Sequence, residues 1–160
     1  MAFLSVFLGW LHVMFAVIAV GGSIFNYFIL APILKEVDLE SAGKVAMGTG
    51  KKFTQLIWIS LVGLILTGIL RVAADTSFQH AFGFDSSYGV VMNIKMLFVI
   101  GIVLHAALIT RTAVKIGQAK SQEERAMLQQ KLRRFSFINI LLAVIVIFLA
   151  VGLRYGGSII

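Results

Sequence analysis

The sequence predicts an all-α integral membrane protein: an antiparallel up-down-up-down four-helix bundle with both termini outside. Three observations carry that expectation. Of the 160 residues, 59% are hydrophobic and only 13% are charged, where a soluble domain carries about 25% charged residues. Four apolar segments, residues 3–34, 53–74, 88–110 and 135–155, each reach the ~20 residues that a ~30 Å hydrocarbon layer requires. The basic residues, finally, are confined almost entirely to alternate loops. We therefore read residues 1–160 as a single transmembrane domain. Backbone groups in lipid must be satisfied within their own segment, so each span is a helix.

The first segment lacks a basic n-region and is too long for a signal peptide, so it reads as a span. Ser5, Gly9, His12, Ala16, Ala19, Ser23 and Asn26 recur along it at steps of four and three. That is the seam of a left-handed bundle, lined by small and polar residues that let helices approach. The first loop then carries Lys35, Lys44, Lys51 and Lys52. On the second segment Ser60, Gly63, Thr67, Arg71 and Ala74 form a similar face. The second loop, from Asp75 to Gly89, has no Lys or Arg. Its Phe78, Phe82 and Phe84, with Tyr88, suit the headgroup level as an interfacial cover.

On the third segment Gly101 and Phe98 fall on the His105 side, which turns that histidine inward. The third loop holds Arg111, Lys115, Lys120, Arg125, Lys131, Arg133 and Arg134. Ser121 and Glu124 have capping-box spacing ahead of a run rich in helix formers. The fourth helix is thus expected to begin well before Phe135. Its inward face is Ser136, Asn139, Ala143 and Ala150. Positive-inside bias places loops one and three in the cytoplasm, giving a multi-pass protein of the cell (inner or plasma) membrane.

Composition also excludes chemistry. The net charge of +7 would suggest nucleic acid in a soluble protein, but in so apolar a chain eleven of the fourteen basic residues are topology signals. Nucleic acid is not a partner; the lipid bilayer is. With no cysteine there is no disulfide, thiolate nucleophile or iron–sulfur cluster. Homo-oligomerisation is left open.

Ionisable residues inside a membrane are costly and default to a functional reading. His12 and His105 are the two histidines in spans. Arg71, Lys95 and Arg154 are the three basic residues outside the inner loops. Each of the three can snorkel to an interface, although Lys95 lies about two helical turns below Tyr88. Together they suit a cationic collar around an anionic ligand, because no span contains a carboxylate to pair with them. Haem b meets these requirements: imidazole ligates its iron, its macrocycle fits between helices, and its propionates need cations. His12 and His105 are the candidate metal ligands, with Arg71, Lys95 and Arg154 near the propionates. Copper is the competing metal, since imidazole suits it and Met14, Met92 and Met96 offer soft donors. The two histidines lie roughly 12 Å and 25 Å below the starts of their helices. That offset leaves open one tilted bis-histidine site, two separate sites, or Lys95 as a sixth ligand. His80, in the outer loop, is an ordinary solvated histidine or a cap on the outer site.

Several short runs resemble known membrane families. Leu11-His12-Val13 followed by Gly21-Gly22 and Ala31-Pro32 is similar to the first helix of the CopD-like and HemJ-like families. Leu66-Thr67-Gly68 resembles their second helix, and Tyr88-Gly89 with Lys95 and His105 their third. The likeness spans most of the chain through short motifs. It implies that His12, Lys95 and His105 take the places of those families' first-helix histidine, third-helix lysine and later histidine. HemJ-like proteins bind haem b and oxidise protoporphyrinogen IX; CopD-like proteins are associated with copper resistance or uptake. The leading functional expectation is a haem-b redox protein passing electrons within the membrane, to or from quinone or a redox protein partner. A HemJ-type oxidase and a CopD-like copper carrier or permease are the alternatives.

Overall fold

The structure is a computed structural model that describes residues 2–34, 36–74 and 82–156. Among these residues there is no strand. The helices are α1 (Ala2–Phe25), a π-helical turn (Asn26–Leu30), α2 (Ala31–Ile33), α3 (Leu39–Ala74), α4 (Ser87–Gln118) and α5 (Gln122–Arg154). Four stretches, Phe3–Ile33, Gly43–Ala73, Ser87–Gln118 and Gln122–Arg154, are long and apolar enough to cross a membrane. His80, Phe78 and Lys35, all used above, lie outside the described residues.

The chain divides into two compact units, Met1–Gln79 and His80–Ile160. In the first unit α1 packs antiparallel on α3. A methyl group at Gly9 would lie 3.7 Å from Arg71 Cζ, and one at Gly22 would lie 3.2 Å from the Phe53 ring, so residue numbers fall on one helix as they rise on the other. The expected small-residue stripe lies in this seam, with Ala19 buried on α1 and Ser60 and Thr67 on α3. Two larger side chains join it. Leu8 is buried, and Phe15 lies so close to Gly63 that a Cβ there would come within 2.5 Å of the ring. The missing side chain of Gly63 is what admits an aromatic ring to a seam otherwise built from small residues. The other faces of α1 expose Phe3, Trp10, Val13 and Val17, and the π-helical turn exposes Phe28, as a lipid-facing surface should. Near the end of this arm Pro32 has no N–H to donate, and the turn before it widens so that Ala31 N–H reaches Asn26 O.

The second unit is the antiparallel pair α4 and α5. A methyl at Gly101 would lie 3.6 Å from Leu142 Cδ1, and the His105 ring meets Phe135 edge-on at a centroid distance of 6.0 Å. Ser86 caps α4, its hydroxyl accepting from Gly89 N–H at 3.2 Å. The preceding segment folds back over that first turn: Asn93 Nδ2 donates to Phe82 O at 3.1 Å, and a Cβ at Gly89 would collide with the Gly83 carbonyl. Phe82 and Phe84 stand exposed there, in keeping with an interfacial cover.

The expected capping box is present at the start of α5. Ser121 Oγ accepts from Glu124 N–H at 3.1 Å, and Glu124 Oε2 accepts from the N–H of Lys120, one residue before the cap, at 3.0 Å. Helix α5 therefore starts thirteen residues before Phe135. Its packed face is shifted from the expected one: Ile140, Leu149 and Leu153 are buried, while Ala150 is exposed. Near the end of α5 the preceding residue, Leu149, is buried where Ala150 was expected. Several hydroxyls within the spans bond back to carbonyls of their own helix, as in Ser23 to Ala19 O and Thr110 to Ala106 O, which satisfies them without water; the buried Ser60 Oγ has no such partner.

Candidate functional site

His12 sits halfway along α1, on the side that meets α3. Its Nδ1 lies 2.8 Å from Thr67 Oγ1. The proton between them can be assigned from chemistry. A hydroxyl has one hydrogen, and that of Thr67 is donated to Gly63 O at 2.6 Å. Thr67 therefore accepts from His12 Nδ1–H, and in the neutral ring Nε2 bears the lone pair. Histidines that ligate a metal are commonly held through the other ring nitrogen in this way. Thr67 is only 3% exposed, so this acceptor is locked in place by packing. Gly68 faces the ring, where a methyl would stand in ordinary contact, 3.6 Å from His12 Cε1.

Arg71 lies one turn beyond Thr67 on the same face of α3, with its guanidinium against Gly9. Its Nε is buried and has no hydrogen-bond partner. The first unit thus brings together two of the expected site residues, an oriented imidazole and a cation one turn away. Thr67 was expected only as part of a small-residue face. Its role as the acceptor for His12 is legible once the stripes of α1 and α3 are laid antiparallel, because positions 12 and 67 then come level.

In the second unit His105 Nδ1–H donates to Gly101 O at 3.1 Å. A carbonyl can only accept, so in the neutral form of this ring too the lone pair falls on Nε2. The ring faces α5 through Phe135, which agrees with the inward orientation expected from the sequence. Lys95 lies on α4, half-buried, and Arg154 is exposed in the last turn of α5, where a cation complements the helix dipole. The antiparallel register puts Arg154 near the level of Tyr88, so Lys95 lies roughly 10 Å deeper. Met92 and Met96 share one face of α4, Met92 buried, but that face is turned about 140° from His105 at 100° per residue. The thioethers and this imidazole do not converge. Met14 is exposed on α1.

Among the described residues, no group of three or more His, Asp or Glu side chains gathers as a ready-made metal centre. Each unit instead offers one imidazole with a fixed tautomer. The chain is a multi-pass helical membrane protein with one histidine facing the partner helix in each of its two helix pairs. Residues 47–153 match the family of copper resistance protein D, CopD. That match covers well over half of the 160 residues, and the chain belongs to this family. Arg71, Lys95 and His105 fall within the matched region; His12 precedes it and Arg154 lies one residue past its end. Neither a search of curated proteins nor one of solved structures returns a match.

Proposed function

We propose that this protein binds copper within the membrane and passes it through the bilayer, with His12 as the principal imidazole ligand and His105 as a second, separate station. The family supports a copper-related membrane protein. The observation that carries the assignment of His12 is the hydrogen-bond chain from its Nδ1–H to Thr67 and on to Gly63 O, which aims Nε2 as a donor. Copper is the cargo, and one firm imidazole per station suits an ion that must leave again: a closed set of four ligands would trap it.

A second reading is favoured by one observation. The buried Nε of Arg71 has no hydrogen-bond partner, and a carboxylate there would satisfy it. Haem b would place its iron on His12 and a propionate on Arg71, and when bound would supply one-electron chemistry for exchange with quinone or a redox protein. The residues of the first unit fit that group. Helix α3 carries Arg71 one turn from Thr67, the residue that holds the α1 imidazole.

The two readings part on one preparation. Copper and haem are quantified per chain on protein purified from cells supplied with both, with the visible spectrum recorded. The copper reading expects bound copper, no b-type band, and loss of the share held by His12 in His12→Ala but of none in His80→Ala. A b-type spectrum without copper overturns it in favour of haem.

A further inference from the structure

We infer that the groove between the end of α4 and the start of α5 binds the phosphate of an anionic phospholipid. A cavity of about 490 Å³ opens there, with Arg111, Lys115 and Lys131 on its walls together with Leu108 and Phe135. A neighbouring cavity shares Lys131 and Phe135 and adds Arg134. The cations come from both helices, two from α4 and two from α5, and no carboxylate lines either cavity. Glu124, in the first turn of α5, already accepts from Lys120 N–H in the helix cap.

The placement of the cations is structured. Arg111 and Lys115 are four residues apart and so share one face of α4. Lys131 lies over the Phe135 ring, its Nζ 5.6 Å from the centroid, a cation–π contact that favours the ammonium at the rim. Charge alone would suit any phosphate. The apolar side selects the lipid: Leu108 and Phe135 continue the cavity toward the span, where acyl chains lie, while the cations stand at the end of the helix pair, where headgroups lie. Basic pockets between transmembrane helices at this level are suited to anionic headgroups. The inference is independent of what His12 binds.

The test is native mass spectrometry of the full chain in detergent with equal phosphatidylglycerol and phosphatidylcholine. The wild type retains phosphatidylglycerol preferentially. Each of Arg111→Gln and Lys131→Gln lowers that retention roughly fivefold, following about 1 kcal/mol per cation near the headgroups. Lys131→Arg keeps the retention, and so does the double variant Lys51→Gln/Lys52→Gln, whose charges lie outside the groove. Circular dichroism is run on each variant to establish that the helices persist. Equal retention of the two lipids, or an equal loss in the Lys51/Lys52 variant, overturns the site as mere adsorption by charge. Displacement of the lipid by inorganic phosphate at matching concentration overturns the lipid as occupant and leaves a free-phosphate site.

Discussion

At the scale of single residues, the site depends on how one imidazole is held. His12 and Thr67 each stood out in the sequence as members of a polar stripe, and the energetic logic that marked His12 was legible there, because an ionisable group in a span needs a reason. The tautomer was not legible. It depends on a second hydrogen bond, from Thr67 to Gly63 O, which removes the only proton the hydroxyl could have given to the ring. This assigns Thr67 a measurable role. Outer partners of metal-bound histidines typically contribute 10–100-fold to metal affinity. Thr67→Val, similar in shape but unable to accept, should weaken copper binding by about that factor, while Thr67→Ser keeps it. Titration with a competing copper chelator reads the difference. Equal affinity in Thr67→Val would mean that the contact only packs the helices.

At the scale of elements, the helices were well marked by the apolar runs, and the start of α5 by the Ser121–Glu124 spacing. The side chains that pair the helices were less legible. A stripe of small residues reads as two smooth surfaces in contact. In the structure Gly63 instead accepts the ring of Phe15, a knob no periodicity reveals, because Phe15 looks like one more lipid-facing aromatic. The basic groove was similarly half-visible: its charges could be counted in the third loop, but their convergence needs the antiparallel register of α4 and α5. Two glycines give a contrasting test. A Cβ at Gly63 would press into the Phe15 ring, whereas one at Gly101 would meet Leu142 at an ordinary 3.6 Å. Gly63→Ala should therefore destabilise the α1–α3 pair by roughly 1–3 kcal/mol, the usual cost of overpacking. Gly101→Ala should be close to neutral, and Phe15→Leu in the Gly63→Ala background should recover part of the loss. Thermal unfolding in detergent gives all three; equal behaviour of the two glycine variants would refute the packing assigned to Phe15.

At the scale of the whole molecule, the distribution of charge is the organising fact. Eleven of the fourteen basic residues lie in residues 35–52 and 111–134, and Arg71, Lys95 and Arg154 are the remainder. The positive-inside rule turns that asymmetry into an orientation, since Lys and Arg near the ends of spans resist translocation. Our reading places loops one and three in the cytoplasm and the segment around Phe84 outside. The same orientation puts the basic groove at the cytoplasmic leaflet, whose anionic lipids attract such clusters. The lack of cysteine in the chain makes this directly testable without background labelling. Asp85 and Gln129 are both exposed, one beside the outer cover and the other on the early part of α5. On intact cells a membrane-impermeant maleimide should label Asp85→Cys and spare Gln129→Cys until the cells are opened. The reverse pattern would invert the topology and move the lipid groove to the outer leaflet. Labelling of both on intact cells would mean that the third loop is not enclosed, and that the eleven basic residues do not set the orientation.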